Sequence, residues 1–370
     1  MDARIDRLQR AAAESERVVE LGGGLPAADL FPRSELASSF LAVLYEPACA
    51  ALQYGWPEGD PDVRAWIAAR LRARGAPVAA GDVIVTSGAQ QAVSIAVDRL
   101  AAPGRSVGLD RETYPAALDL IRAKGGRAAT GKDPPDWFYV MPGVTNPTGA
   151  GMTAERRAAI LASGVPVIAD EAYAELRFDG AVPRPFLADA RDRTWHVGTL
   201  SKTLSPGLRV GWLLPPPGEL AAALEAKRAR DLEAGNLSQA VVRSFLARDD
   251  FDARLAAART FYRARAETLV DLLRRHLPGW HFREPEGGFS VFVETDVRGD
   301  DVAFLEHATR QGVNFDPGRM FRPGGAPAFV SMRLCFSRAS STELAEGVRR
   351  LERAARTFRT GVPAETRATP

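Results

Sequence analysis

The sequence predicts an α/β fold: a large domain whose mostly parallel central sheet is sandwiched by helices, followed by a smaller α+β domain. Three observations lead there. Short β-branched runs alternate with helical stretches between Val83 and Leu200, the pattern of parallel strands joined by helical crossovers. Past Gly218 the alternation gives way to long helical stretches and a few late strands. A length of 370 residues with 46% apolar content supports a large core or two domains.

The elements follow in order. Residues 4–20 carry apolar side chains at helical spacing and are expected to form an amphipathic helix. Leu21 to Pro26, L-G-G-G-L-P, breaks it into a loop. Helices are expected over 34–46 and over Arg64 to Arg74, after Gly59-Asp60-Pro61. Then come a strand at Val83–Thr86, a helix at Gly88–Leu100, a strand at Ser106–Leu109 and a helix at Ala116–Lys124. A strand at Trp137–Met141, a helix at Ala154–Ala162, and strands at Val165–Asp170 and Trp195–Leu200 complete the alternation. Gly218–Asp231 and Ser238–Leu277 read as long helices, with strands near Gly288–Glu294 and Met332–Phe336. The expected division is 1–45, an N-terminal helix and loop contributing to the small domain; 46–240, the large domain; 241–360, the C-terminal small domain; and 361–370, a disordered tail.

Charge and cysteine content exclude several functions. With 48 basic and 46 acidic residues the net charge is +2, which makes no case for a nucleic-acid or membrane partner. Two cysteines, Cys49 and Cys335, form no disulfide framework and no metal-ligand spacing, so no metal is expected. The N-terminus, M-D-A-R-I-D-R-L-Q-R, has no apolar signal core, and a cytoplasmic protein is expected.

The chemistry centres on T-L-S-K-T-L-S-P-G-L-R-V-G-W, Thr199 to Trp212. Lys202 stands among small residues and hydroxyls, with Arg209 seven positions on. An amine kept from bulk water near a fixed, phosphate-holding cation is what a pyridoxal phosphate Schiff base needs. A solvated surface lysine is the equal alternative on this segment alone. In a parallel α/β sheet, ligands sit at the carboxyl ends of strands, and other suggestive residues fall there. Thr86 to Ala92, T-S-G-A-Q-Q-A, is a strand end, a Gly turn and a helix start, either an anion site or an ordinary cap by Ser87. Asp170 ends V-P-V-I-A-D and could pair with a cationic ring nitrogen, or cap a helix, or sit in a buried ion pair. Tyr173 and Asn146, the latter in N-P-T-G, could both reach a phenolate oxygen, or serve as core and turn. Tyr114 could stack on a flat ring or simply pack.

In their order these segments resemble the fold-type I PLP enzymes, specifically the class I/II aminotransferases, nearest to the branch of 2-aminoadipate aminotransferases and the aminotransferase domains of MocR regulators. The matching runs are L-G-G-G-L-P, L-Q-Y-G-W-P-E-G-D (Leu52 to Asp60), S-G-A-Q-Q-A, N-P-T-G, D-E-A-Y (Asp170 to Tyr173), S-K-T-L-S-P-G-L-R-V-G-W, G-G-F (Gly287 to Phe289) and R-L-C-F-S (Arg333 to Ser337). The resemblance implies the PLP-dependent transferase fold, with residues 46–240 binding the cofactor. It implies Lys202 as the internal-aldimine lysine that then shuttles a proton between Cα and C4′, with Asp170 and Tyr173 as the other catalytic residues. Asp170 would pair with the ring nitrogen, Asn146 and Tyr173 would bind the phenolate oxygen, and Tyr114 would stack on the ring. Ser87, Gly88, Ala89, Thr199 and Arg209 would hold the phosphate. Tyr54 would reach the phosphate of a second subunit, implying a homodimer with shared sites. Arg333, with Gly24 and Asn146, would bind the substrate, the arginine clamping its α-carboxylate by a fork that lysine cannot copy.

The implied activity is transfer of an amino group from an L-amino acid to a 2-oxo acid by a ping-pong mechanism. Lyase, decarboxylase, cyclising synthase and oxidase chemistry occur on the same fold and stay open, because reaction choice is set by pocket geometry. A non-catalytic PLP sensor is the remaining alternative, disfavoured because G-G-G-L-P follows within about two dozen residues of the first residue, leaving no room for a winged helix. The chain departs from the family between Tyr114 and Asn146, an interval of 32 residues, where G-G-R-A-A-T-G-K-D-P-P-D replaces a longer insert. No second arginine stands out to read a distal carboxylate; Arg33 and Arg177 are the candidates.

Overall fold

The structure, a computed structural model, describes residues 3–15, 17–130, 134–325 and 328–360. The expected tail at 361–370 and the middle of the short crossing, 131–133, lie outside the described residues. The chain opens with α1 (Ala3–Ala13), β1 (Val19–Glu20), α2 (Arg33–Leu44) and α3 (Pro61–Ala73). It continues with β2 (Ile84–Ser87), α4 (Ala89–Leu100), β3 (Ser106–Gly108), α5 (Pro115–Ala123), β4 (Arg127–Ala128), β5 (Trp137–Val140), α6 (Ala154–Ser163), β6 (Val167–Asp170), β7 (Thr194–Thr199) and β8 (Val210–Leu214). The last third holds α7 (Leu220–Asp231), α8 (Asn236–Leu246), α9 (Phe251–His276), β9 (His281–Phe282), β10 (Ser290–Arg298), α10 (Asp301–Arg310), β11 (Val313–Asn314), β12 (Asp316–Pro317), β13 (Phe329–Cys335) and α11 (Ser341–Thr360).

Seven strands make the central sheet, in the order β2-β8-β7-β6-β5-β3-β4. The neighbours from β7 to β4 run parallel, and β8 is antiparallel to both β2 and β7. The sheet is thus mixed at one end and otherwise the parallel sheet that the alternation predicts. The inner strands read as continuous apolar runs because both faces are covered by helices. W-F-Y-V, V-I-A-D and T-W-H-V-G-T are buried along their whole length. On α4, Ala92, Val93, Ile95, Ala96, Val97 and Leu100 are buried, and each large aliphatic side chain so removed from water contributes about 1.5–3 kcal/mol. That face pins the N-terminus of α4 against the ends of the central strands.

A second, antiparallel sheet has the order β12-β13-β10-β9. Its register puts Arg333 between Phe292 on β10 and Asp316 on β12. The helix expected over 4–20 ends at Ala13, and Val19–Glu20 instead pairs in parallel with Val313–Asn314. Val18 and Val19 favour extended backbone, and Leu21, two residues past Val19, is fully buried. The long helix expected over 238–277 is two helices, α8 and α9, broken where the Asp250 side chain accepts from Ala253 N at 3.0 Å and caps the second. Among the described residues no helix is long and apolar enough to cross a membrane.

Candidate active site

The carboxyl ends of β6 and β7, the β2–α4 turn and the 21–26 loop meet around a cleft of about 360 Å³. Gly24, Ala89, Tyr114, Asn146, Asp170, Tyr173, Thr199, Lys202, Arg209 and Arg333 all line it. Ser87 and Gly88 lie directly behind Ala89, at the end of β2 and the N-cap of α4. Tyr54 is apart from them, on the surface and 77% exposed.

Asp170 is the last residue of β6 and only 3% exposed. Its Oδ2 accepts from the Tyr139 hydroxyl at 2.7 Å and its Oδ1 from Ala172 N at 3.0 Å. Both donors are neutral, and among the described residues Asp170 forms no ion pair. Burial therefore dominates and pushes its pKa above the ordinary carboxylate value, with the two hydrogen bonds opposing. A buried carboxylate without a cation is costly for a fold to keep. Across the cleft, Lys202 Nζ donates to the Gly24 carbonyl at 3.3 Å and lies 5.2 Å from the Tyr173 ring centre. Tyr114 donates to Gln90 Oε1 at 3.2 Å, and burial raises its phenol to about 12, so it is a neutral, flat surface in the pocket.

The turn between β2 and α4 has a geometry that could receive an anion. Gly88 has φ +80° and makes no side-chain cap, so the first-turn N–H groups of α4 face the cleft without a side-chain acceptor. A Cβ on Gly88 would overlap the Arg209 guanidinium. Arg209 itself has φ +56° and is held by Ser87 O at 3.0 Å and Pro206 O at 3.3 Å. Two alternatives raised by the sequence are settled here: Ser87 is not the helix cap, and its hydroxyl donates to Asp231 Oδ2 at 2.9 Å rather than pointing into the cleft. The Thr199 hydroxyl donates to Val210 O at 2.9 Å and accepts from Ser201 N at 3.1 Å.

Arg333 is buried on β13 with its fork partly engaged. Nε and Nη2 donate to Asp316 Oδ2 at 2.9 and 2.7 Å, and Nη1 donates to Asn146 Oδ1 at 2.7 Å. Gly24 lies against the guanidinium, where a Cβ would come within 3.0 Å of Nη1. The remaining N–H groups of the fork suit a carboxylate. The sequence reading did not single out Tyr139, Asp316, Gln9, Met320 or Phe321. Tyr139 could have been found from strand alternation, since it shares the inward register of Ile168 on the neighbouring strand; Asp316 sits in D-P-G, which reads as a turn.

The donor set fits pyridoxal phosphate: a buried carboxylate with no ion pair among the described residues for a ring nitrogen, a helix N-terminus with an arginine for a phosphate, and a lysine and a forked arginine lining the same cleft. Comparison with known proteins agrees. A 2-aminoadipate transaminase of Thermus thermophilus is 31% identical over 364 residues, spanning 91% of this chain and 90% of the relative. A solved structure of α-aminoadipate aminotransferase from Thermus thermophilus, complexed with N-(5′-phosphopyridoxyl)-L-leucine, matches with a TM-score of 0.85 and 30% identity over 96% of both chains. Kynurenine aminotransferase of Pyrococcus horikoshii matches with a TM-score of 0.88 and 26% identity, over 100% of this chain and 96% of that one. The family model described as aminotransferase class I and II matches residues 49–351, and the chain belongs to that family.

Proposed function

We propose that the protein is a pyridoxal 5′-phosphate-dependent aminotransferase that carries an amino group from an L-amino acid to a 2-oxo acid in two half-reactions of a ping-pong cycle. The observation that carries this reading is Asp170, a buried carboxylate whose hydrogen-bond donors among the described residues are both neutral, at a strand end in the cleft that Lys202 also lines. When bound, the cofactor supplies a protonated ring that accepts the electron pair left at the substrate Cα. Asp170 would hold the ring nitrogen's proton in place. Lys202 would anchor the cofactor covalently, and once displaced by substrate its amine would take the proton from Cα and return it at C4′. Tyr173 and the Asn146 amide would donate to the ring oxygen, since Asn146 Oδ1 is already committed to Arg333. Tyr114 would cover one face of the ring. Gly88, Ala89, Thr199 and Arg209 would hold the phosphate, and Ser87 would join them by exchanging Asp231 for it. Arg333, with Gly24 against it, would orient the substrate α-carboxylate. The relative solved with a phosphopyridoxyl-leucine adduct supports the same cofactor here.

A homodimer with shared sites belongs to this proposal. Leu41, Leu44, Tyr45, Leu52, Tyr54 and Trp56 are large apolar or aromatic side chains exposed along one stretch of chain, and a second copy would cover them. A monomer by light scattering, or a Tyr54→Phe protein with unchanged cofactor affinity, would remove this part. The division into a large domain over 46–240 and a small one over 1–45 with 241–360 is likewise proposed; the separate sheets support it. Cytoplasmic residence is proposed from the cysteine content and the free Cys335 thiol.

The test is spectroscopic. Protein loaded with the cofactor should show an imine absorbance band that an amino-acid donor converts to the pyridoxamine form, and that a 2-oxo acid restores. If no donor in a broad panel produces the pyridoxamine form, the reading is lost.

A further inference from the structure

Among the described residues five charged side chains line the cleft: Asp170, Lys202, Arg209, Arg333 and Asp316. The first four each have a task in the proposed reaction. Asp316 has none, and it sits against the substrate-binding arginine. Its Oδ2 accepts from Arg333 Nε at 2.9 Å, from Nη2 at 2.7 Å and from Gly23 N at 3.0 Å, while Oδ1 accepts from Gln9 Nε2 at 2.6 Å. The pair is buried on both sides. The wall beside it is uncharged: Gln9, Met320 and Phe321, whose ring centre lies 4.9 Å from the Arg333 guanidinium carbon.

A charge count follows. Asp316 already neutralises Arg333, so a bound α-carboxylate makes two anions share one guanidinium. A substrate with a side-chain carboxylate would bring a third anion into the same low-dielectric pocket, with no further cation of this chain among the described lining residues to meet it. Of the arginines named from sequence, Arg177 is paired with Asp179 at 2.7 Å and Glu286 at 3.0 Å beside a different cavity. Arg33 is exposed and lines a neighbouring cleft on the Pro26–Glu35 segment.

We infer that Asp316 is a specificity-determining residue and that the substrate class is monocarboxylic amino acids with uncharged aliphatic, thioether or aromatic side chains, not acidic ones. Asp316 positions the guanidinium through its Nε edge, leaves the outer fork for one carboxylate, and repels a second. This inference rests on the aminotransferase reading of the cleft.

The experiment compares leucine, methionine and phenylalanine with glutamate and 2-aminoadipate as donors to the cofactor-loaded protein. Dissociation constants of 4-methylpentanoate and adipate, which lack the reacting amine, are measured alongside by calorimetry. The uncharged donors should react with kcat/KM larger by about ten-fold or more, and 4-methylpentanoate should bind tighter than adipate. Asp316→Asn keeps an acceptor for Arg333 Nε but drops the charge, and should narrow both ratios. Acidic donors that match or exceed the uncharged ones overturn the inference while leaving the aminotransferase reading standing; so does an Asp316→Asn protein in which every donor falls by the same factor. Glutamate turnover that is lost in Arg33→Gln overturns it by making Arg33 the reader of a distal carboxylate. If no donor of either class converts the cofactor, the aminotransferase reading falls, and this inference with it.

Discussion

Tyr139 and Asp170 share a hydrogen bond of 2.7 Å, both buried, behind the cleft that Asp170 lines. The bond crosses from β5 to β6. Burial holds the Tyr139 phenol well above its ordinary pKa, with the Asp170 charge adding to the effect, so the proton stays on the tyrosine. The hydroxyl therefore acts only as a donor that favours ionised Asp170.

Replacing Tyr139 by Phe removes that donor without opening much space. The ionised carboxylate loses a buried bond worth about 1–3 kcal/mol, so Asp170 holds its proton to a higher pH. The expected result is a lower kcat with little change in KM for the amino donor, and an acid limb of the kcat profile displaced to higher pH. A raised KM with an unmoved profile would assign Tyr139 to packing alone.

Asp170→Asn tests the unpaired charge through stability of the cofactor-free protein. Folding raises the Asp170 pKa from the ordinary value of 3.8. Between that value and the raised one the folded state binds more protons than the unfolded state, so stability falls as pH rises through this window. Below it the carboxyl is protonated in both states and nothing is lost. Wild type should therefore lose stability relative to Asp170→Asn as pH climbs above the ordinary carboxylate range, and bound cofactor should shrink the difference. Two chemical-denaturation curves that stay parallel across pH would contradict the assignment.

Much of this site is written in local sequence, and the parts that are not have a physical reason. Asp170, Lys202 and Arg209 fall at strand ends and turns whose chemistry is spelled by their neighbours. The parallel strands are legible because apolar runs buried on both faces have no polar alternation to confuse. The strand β8 is hard to read from sequence because Val210–Leu214 follows the Lys202 segment as one apolar run, and its antiparallel pairing with β2 reaches across more than a hundred residues. Asp316 was illegible for the same kind of reason: its meaning comes from Arg333, seventeen positions on, through strand register rather than proximity in the chain.

Gly88→Ala should damage the anion cradle. The backbone there has φ +80°, and an added Cβ would meet the Arg209 guanidinium. A strained left-handed alanine costs about 1–3 kcal/mol, and Arg209 must shift away from Ser87 O to make room. Cofactor affinity should fall by about ten-fold or more, read by equilibrium dialysis. Unchanged affinity would mean the phosphate is held elsewhere.

Two lysines close to the cleft should fail in different ways. Lys227 is completely buried on α7, and its Nζ donates at 3.2 Å to Asp231, whose other oxygen takes Ser87 Oγ and Gln91 Nε2. It supports the β2–α4 turn from behind and does not line the cleft. Lys202 lines the cleft and, among the described residues, donates to the Gly24 carbonyl alone. Lys202→Ala should therefore keep its thermal stability, lose the imine band, and lose about 10²–10⁴-fold in kcat, the size of a missing acid–base group. Lys227→Ala should keep the imine band but lose about 1–3 kcal/mol of stability as Asp231 is left without its buried partner, with weaker cofactor binding as Ser87 and Gln91 loosen. An imine band that survives Lys202→Ala and disappears in Lys227→Ala would move the covalent anchor from the cleft to the buried lysine of α7.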